Sequence, residues 1–411
     1  MPARIFISTA GDNANNGETA GAPVATFREA VIKVDDGGTI EIIDSNTHSP
    51  SNNFDNRVVV NKSVDIVASS GETPTLDGAA AHSANLPGFN MGATCTLTFT
   101  GITFQNWGAG ATSYLVNQGN NITLQYSQCT FKDIGIHIFH DPPTATSGTP
   151  NKLDRCRVER TSTKKLFNSP PGGDWHFLIQ NSVLHYAGTD SNQVYIDAEN
   201  NNHVNGIVRN CSLLVEVNDA VGTTNGVIRC GTIENVIIRN AATVGSFSTL
   251  AALKAKGGYS NNCIFGNFAV GEVNTGASTT GLVTSDPLFV NEGASPPDLQ
   301  LQAGSPCIGA GKTIAAVTVD FAGTSRSAPY DIGAFVFTSG GGGGGTSFTS
   351  NDGEETYGIK FSSSFTIRGT ANKLVTRKFN SDKDNRQAPY FLTTPGPPTI
   401  RERNTPYKNE T

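Results

Sequence analysis

Four carboxylates and one tryptophan between residues 170 and 200 are the side chains best suited to chemistry in this 411-residue chain. A glycosidase needs two carboxyl groups roughly 5 to 10 Å apart, one as general acid and the other as base or nucleophile. A tryptophan at the surface offers a broad ring on which a sugar can stack. The candidate carboxylates are Asp174, Asp190, Asp197 and Glu199, and the candidate carbohydrate contact is Trp175.

A second group of carboxylates, Asp133, Asp154 and Glu159, offers the same chemistry. Both groups also have a simpler explanation, because carboxylates on an outer face keep that face hydrated. The sequence therefore assigns no catalytic residue. It leaves open whether the chain is an enzyme and favours a non-catalytic role over a polysaccharide lyase or glycoside hydrolase.

Two histidines, His137 and His140, stand next to Asp141 and suggest a metal site. Residues three apart on a strand point to opposite faces, so the two imidazoles converge only if a turn intervenes, and the favoured interpretation is one histidine at a coil corner bonded to the backbone. The seven cysteines are scattered without a Cys-x-x-Cys pair, a pattern unlike a zinc site or a disulfide scaffold. No metal and no cofactor are predicted.

A short repeat sets the positions of these residues in the fold. A polar residue, then Cys or Ser, then an apolar run recurs every 25 to 29 residues, with one further copy near Asn235. That period is typical of one coil of a solenoid whose coils bury each other's apolar faces. The predicted fold is all-β, a right-handed single-stranded parallel β-helix in which these Cys and Ser residues pack as a ladder inside the core. The copies are Gln128-Cys129, Arg155-Cys156, Asn181-Ser182, Asn210-Cys211 and Asn262-Cys263.

The segments on either side of the repeats suggest a cap and an arm. Thr26-x-x-Glu29 has the spacing of a capping box and predicts a helix over Phe27–Val34 that covers the open end of the first coil. Six glycines at 340–345 read as a flexible linker before an extended C-terminal arm. The predicted divisions are residues 1–36 for the first strand and capping helix, 37–285 for the β-helix, 286–339 for its closing segment, 340–345 for the linker and 346–411 for the arm.

Segments at both ends of the repeats, among them Gly38-Thr39-Ile40-Glu41-Ile42 and Asp286-Pro287-Leu288-Phe289, match a known pattern. Through them the chain resembles right-handed parallel β-helix proteins of the pectate-lyase-like superfamily, of the kind found in bacteriophage virions. The resemblance covers about residues 1–337 and implies the fold, but β-helices carry lyases, hydrolases, adhesins and inert virion parts alike. The sequence motifs of polygalacturonases and pectate lyases are missing. The segments that carry the resemblance are Gly11–Gly17, Thr26–Val31, Gly38–Ile42, Asp286–Phe289 and Asp331–Phe335.

The leading functional hypothesis is a bacteriophage virion structural protein, displayed on the particle surface as a capsid decoration or a tail accessory or adhesin. Its C-terminal arm would anchor it to other virion proteins, and a homotrimer is a further expectation from the resemblance. The alternative is a depolymerase, a lyase or hydrolase acting on host surface polysaccharide. The arm residues expected to dock on the partner are Lys360, Arg368, Lys373, Arg377, Lys378, Arg386, Arg401 and Arg403.

The distribution of charge agrees with such an arm. Residues 346–411 hold 10 Lys and Arg against 7 Asp and Glu, whereas the whole chain carries a net charge of −6. An acidic body is a poor partner for nucleic acid. No apolar run near Met1 has the length of a signal peptide, and none reaches the length of a membrane span. The expectation is synthesis in a host cytoplasm, location on the virion, and no nucleic-acid or membrane partner.

Overall fold

The structure is a computed structural model and describes most of the chain up to residue 338. The described residues are 3–49, 58–78, 88–92, 95–107, 115–117, 122–134, 138–140, 150–160, 166–168, 176–187, 196–197, 206–216, 228–241, 253–266, 280–338, 364–368 and 374–378. The strand pairing confirms the predicted all-β parallel β-helix.

The coils contribute strands to three parallel sheets around a common apolar core. In one coil, β8 (Thr96–Thr100) belongs to the first sheet, β9 (Thr103–Gln105) to the second and β10 (Val116–Asn117) to the third. In the next coil, Leu124 lies over Leu97 and Phe131 lies over Phe104. In-register parallel pairing thus stacks similar residues about 4.8 Å apart.

The strands of the three sheets, numbered in chain order, have the following bounds. The first sheet contains β1 (Arg4–Ile7), β2 (Gly38–Ile42), β5 (Val64–Ala68), β8, β11 (Thr123–Ser127), β14 (Asn151–Asp154), β17 (Phe177–Gln180), β20 (Gly206–Arg209) and the second halves of β22 (Ile228–Glu234) and β24 (Leu253–Ser260). The second contains β3 (Thr47–His48), β6 (Thr75–Asp77), β9, β12 (Thr130–Lys132), β15 (Arg157–Arg160), β18 (Val183–Tyr186), β21 (Ser212–Val215), β23 (Ile237–Asn240) and β25 (Cys263–Gly266). The strands of the third side form two groups, which we together call the third sheet. β4 (Val58–Val60), β7 (Phe89–Met91) and β10 pair with one another, and β13 (Phe139–His140), β16 (Phe167–Asn168) and β19 (Ile196–Asp197) pair in order with the first halves of β22 and β24, where β22 connects them to the first sheet.

A two-residue turn joins the first sheet to the second, and it is the predicted repeat. Its first residue has a positive φ, a conformation that glycine and asparagine adopt most readily. Its second residue points into the core. The positive-φ residues are Gly101, Gln128, Arg155, Asn181, Asn210, Asn235 and Asn261, and the inward residues include Cys129, Cys156, Ser182 and Cys211, each at most 1 % exposed.

The ladder of inward Cys and Ser residues is confirmed as packing. The Cys156 thiol donates to the Asp154 carbonyl two residues before it at 3.4 Å, and the Ser182 hydroxyl donates to the Gln180 carbonyl at 2.7 Å. Each small side chain thereby fills space at the crowded turn and also satisfies a carbonyl. Burial raises the pKa of Cys156 well above its usual value and that of Cys211 to about 12, so neither thiol is poised as a nucleophile.

The sequence pattern placed the turn of the last repeat at Asn262-Cys263, which is one residue too late. Asn261 takes the positive φ, and Asn262 points inward, where its amide donates to the Ile233 carbonyl at 3.0 Å. Ile264 is buried in the core. Because side chains alternate along a strand, Cys263 lies on the outer face of the second sheet and not in the ladder.

Aromatic rings fill the middle of the β-helix. Phe104 stacks on Phe131 with ring centroids 5.1 Å apart, and Phe99 stacks on Tyr126 at 5.4 Å. Tyr126 also meets Phe131 edge to face at 5.0 Å. These four rings, together with Phe139, are fully buried, so this part of the core removes a large apolar surface from water.

The predicted N-terminal helix is present as α1 (Phe27–Lys33), but only half of the capping box forms. The Thr26 hydroxyl accepts from the Glu29 backbone N–H at 3.3 Å. The Thr26 N–H donates to the Asn13 side chain at 3.1 Å instead of to Glu29, whose carboxylate pairs with Lys33. Asn13 thus takes the role that the sequence pattern assigned to Glu29.

The closing segment covers the outer face of the second sheet over its last coils. It includes the antiparallel pair β26 (Phe289–Asn291) and β27 (Asp298–Leu301). Asn235, one of the positive-φ turn residues, donates to the Lys312 carbonyl and accepts from the Lys312 N–H, both at 2.7 Å. The apolar contact joins Val183, Leu214, Ile237 and Cys263 of the sheet to Leu299, Cys307, Ile332, Ala334 and Phe335 of the closing segment.

The chain divides into two units, residues 1–342 and 343–411, and the second contains the predicted arm. Its described part is an antiparallel hairpin of β28 (Ser364–Arg368) and β29 (Leu374–Lys378). The other residues of the arm lie outside the described residues. Within the described parts of both units, no helix is long and apolar enough to cross a membrane.

Candidate functional site

The third sheet carries a row of polar residues at one register position in five neighbouring strands. Asp197 of β19 lies between Asn168 of β16 and Arg229 of β22. His140 of β13 precedes Asn168, and Lys254 of β24 follows Arg229. Strands about 4.8 Å apart make this row about 19 Å long. We call these five residues the third-sheet row.

The residues that precede the row indicate to which face of the sheet its positions belong. Each member directly follows an apolar residue on its strand, and three of those residues, Phe139, Ile196 and Ile228, are buried in the core. Successive residues of a strand belong to opposite faces of the sheet. The strand positions of His140, Asp197 and Arg229 therefore belong to the outer face of the sheet, and the register places Asn168 and Lys254 in the same row.

The row combines an imidazole, an amide, a carboxylate, a guanidinium and an ammonium group. Such groups donate and accept hydrogen bonds at closely spaced points, which suits a long ligand rich in hydroxyl groups. Asp197 is the one carboxylate of the row, whereas glycoside hydrolysis needs two within about 10 Å. The row by itself therefore offers groups for binding a glycan and lacks the carboxylate pair of a glycoside hydrolase.

A second polar row lies at the carboxyl ends of neighbouring strands of the first sheet, and its carboxylates do not form an acid–base pair. Asp154, Gln180, Arg209 and Glu234 occupy one register position in four neighbouring coils. The Arg209 guanidinium donates twice to the Gln180 side-chain oxygen, at 2.8 and 3.0 Å, and burial lowers the pKa of Arg209. Asp154 and Glu234 stand three strand spacings, about 14 Å, apart. That separation exceeds the roughly 10 Å limit for two carboxylates that share one glycosidic bond.

The second group of predicted carboxylates is dispersed by the fold. Asp154 lies on the first sheet, where Lys152 pairs with it at 2.9 Å. Glu159 lies on the second sheet, opposite His185 of the next coil. Asp133 is exposed in the turn after β12, with a positive φ of 51°. The structure brings no two of these three onto the same sheet face.

Of the first group of predicted residues, the structure describes Asp197, which lies in the third-sheet row. Asp174, Trp175, Asp190 and Glu199 lie outside the described residues, as do His137 and Asp141. In the described part of the chain, no three His, Cys, Asp or Glu side chains are close enough to hold a metal ion.

The predicted docking residues of the arm are described in part. Arg368 is the last residue of β28 and pairs with Leu374, and Arg377 pairs with Phe365 across the hairpin. Lys378 pairs with Ser364. Lys360, Lys373, Arg386, Arg401 and Arg403 lie outside the described residues.

Sequence reasoning missed Asn168, Arg229 and Lys254 as companions of Asp197. The available signal was an apolar residue followed by a polar one, Phe167-Asn168, Ile196-Asp197, Ile228-Arg229 and Leu253-Lys254. A two-residue pattern is too short to be told from chance. The register of the neighbouring strands is what aligns its copies.

Comparison with known proteins shows little relation in sequence. No family model matches the chain, and no curated protein matches it. Among solved structures, the chain is similar to one titled "Crystal structure of pectate lyase Pel9A", at 16 % identity and a TM-score of 0.40. The match covers 82 % of this chain and 96 % of that chain. At this level no activity carries over, and strand pairing alone establishes the parallel β-helix.

Proposed function

We propose that residues 1–342 form a glycan-binding body that holds an extended polysaccharide along the third-sheet row. The observation that carries this proposal is the alignment of His140, Asn168, Asp197, Arg229 and Lys254 in five neighbouring strands. Parallel pairing spaces the five positions regularly, which suits a polymer with a regular repeat.

The bound polymer would be a surface polysaccharide of a host cell. Its hydroxyl groups match a row that contains both donors and acceptors. Hydrolysis of the polymer would require a second carboxyl group near Asp197. Asp174, Asp190 and Glu199 are close to Asp197 in sequence and are the residues from which a depolymerase would draw it.

The test replaces Asp197 by Asn and Arg229 by Gln in the full chain. Purified bacterial surface polysaccharides are titrated and binding is measured by calorimetry. A hydrogen bond to a charged group contributes about 1.5 to 3 kcal/mol, so each substitution should weaken binding roughly tenfold or more. Lys132→Gln on the second sheet is the matched control and should bind as the natural chain does.

Incubation with the polysaccharide also separates binding from cleavage. Intact polymer after incubation supports a binding protein, whereas new reducing ends or unsaturated products that disappear in Asp197→Asn would identify a depolymerase. Binding that survives both substitutions in the third-sheet row would place the glycan elsewhere and contradict the proposal.

A second proposal concerns the C-terminal unit, which we infer anchors the body to a bacteriophage particle through other virion proteins. The division of the chain at the glycine run and the hairpin that pairs Arg368 with Leu374 and Arg377 with Phe365 support it. A two-stranded hairpin alone is marginally stable in water, so contact with a partner would contribute to its stability.

The anchoring proposal predicts that residues 1–339 stay folded and soluble but no longer join particles. Immunogold electron microscopy with antibody against the body measures this on particles assembled with the full or shortened chain. Arg368→Glu with Arg377→Glu in the full chain should reduce labelling in the same way. Equal labelling with the shortened chain would show that the anchor lies in the body.

A further inference from the structure

A buried histidine lies beneath the N-terminal helix at the first coil of the β-helix. His48 of β3 has no exposed surface, and its ring meets Phe27 of α1 edge to face with centroids 5.6 Å apart. Its Nε2 is 3.0 Å from Asp44 Oδ1, while its Nδ1 is buried without a hydrogen-bond partner. Because a carboxylate accepts only, Nε2 carries the proton and Nδ1 is the unprotonated nitrogen.

Asp44 joins the parts of the chain that build this end. One carboxylate oxygen accepts from the Ser8 hydroxyl and the Thr9 N–H, both at 2.7 Å, just after β1. The other accepts from His48. The carboxylate therefore connects the end of β1 with β3, and α1 closes over the same histidine through Phe27.

We propose that His48 and Asp44 form an acid-sensitive latch, which holds the N-terminal cap closed near neutral pH and lets it open when the medium is acidified. Protonation adds an N–H at Nδ1, where the structure provides no acceptor, and it adds charge in a water-excluded pocket. Both effects favour an open state in which water reaches the imidazole.

The direction in which the pKa of His48 is shifted agrees with a latch that opens in acid. Burial lowers the pKa of His48 below its ordinary value of 6.5, and the nearby Asp44 only partly opposes it. The open state therefore binds the proton first, so the cap keeps its full stability above pH 6.5 and loses stability as the pH falls below that value.

The other charged groups near the cap either lose their contribution at a lower pH or pair with each other. Burial would raise the pKa of Asp44, but hydrogen bonds from Ser8 and Thr9 and the charge of His48 lower it on balance. Its contribution is thus lost only as the pH falls below its ordinary 3.8. On α1, Glu29 and Lys33 pair with each other. Asp44 is the charged group that acts on His48.

The test is hydrogen–deuterium exchange of the full chain at about pH 7.5 and 5.5, corrected for the intrinsic exchange rate. Peptides that cover β1 and α1 should lose protection by up to about tenfold at the lower pH, the limit if only the open state takes the proton. Peptides that cover β17 and β20 should keep their protection. Equal behaviour of the two sets of peptides would overturn the proposal.

Two variants give the matched comparison. His48→Leu fills the pocket beside Phe27 without a titrating group and should abolish the acid-dependent loss of protection in α1. His185→Leu, which removes the imidazole 3.1 Å from Glu216 on the second sheet, should leave that loss unchanged. A loss of protection that persists in His48→Leu would assign the effect to another group and refute the latch.

Discussion

Replacing Arg326 by alanine is expected to destabilise the closing segment and to lower the free energy of unfolding by about 3 to 5 kcal/mol. Arg326 is 8 % exposed. Its Nη2 donates to the Gly333 and Ala334 carbonyls at 2.9 and 3.0 Å, and its Nε donates to the Val319 carbonyl at 3.3 Å. The guanidinium therefore joins distant parts of the closing segment.

The size of this effect follows from what alanine would leave behind. The Gly333 carbonyl would lose the donor that Arg326 supplies, whereas the Ala334 carbonyl would keep the Phe321 N–H at 2.9 Å. An unsatisfied buried group costs about 1 to 3 kcal/mol. The negative charges of Asp320 and Asp331, which now offset that of Arg326, would lose their nearby cation. Burial lowers the pKa of Arg326, but these two carboxylates counteract the shift and keep the guanidinium charged.

Urea unfolding and limited proteolysis measure this prediction. The closing segment of Arg326→Ala should be cleaved at a urea concentration at which the natural chain resists. Arg4→Ala is the control, because Arg4 is 59 % exposed and its surface pair with Glu41 contributes less than about 1 kcal/mol. Equal stability of the two variants would show that Arg326 does not hold the segment.

The second large effect is expected from Phe131→Ala, which should cost about 3 to 5 kcal/mol. Phe131 is fully buried between the stacked ring of Phe104 and the edge-to-face ring of Tyr126. Parallel strands hold both neighbours at fixed spacing, so the sheets have little freedom to collapse into the space left by the ring. Phe131→Leu should cost less, because it leaves a smaller cavity.

Tyr126→Phe provides a control in the same part of the core. The Tyr126 hydroxyl is buried without a hydrogen-bond partner, and burial raises the pKa of Tyr126 well above its usual value. Removing that hydroxyl should leave stability unchanged or raise it by about 1 kcal/mol. Urea denaturation measures the free energy of unfolding of the three variants. A Phe131→Ala protein as stable as Tyr126→Phe would contradict the prediction.

The outer face of the second sheet shows why sequence reasoning could not place the closing segment. At one register position, the row runs through Thr75, Thr103, Thr130 and Arg157 and continues through Val183, Ser212, Ile237 and Cys263. The first four are polar and partly exposed, whereas the last four are buried and, apart from Ser212, apolar, and this change coincides with the coils that the closing segment covers. The change becomes visible only after the strands are aligned, because a slip of one residue exchanges the two faces.

The error at Cys263 has the same origin. Two consecutive asparagines, Asn261 and Asn262, both suit a turn with positive φ, so composition alone could not choose between them. The burial of Ile264 decides between the two asparagines, because it requires Cys263 to face outward and Asn262 to face inward. Cys263 there meets Cys307, whose hydrogen bond and the surrounding burial raise the pKa of the Cys263 thiol.

The sequence by itself determined the coil. Three local signals were sufficient: the repeating turn with its polar first residue and small inward residue, the apolar alternation, and the helix start at Thr26. Such signals can be recognised without knowledge of distant contacts. The tertiary structure alone decided which outer residues share a row, from His140 to Lys254, and which face the closing segment covers. Both depend on register between strands separated by insertions of different length, and a single strand contains no information about the residue that lies above it.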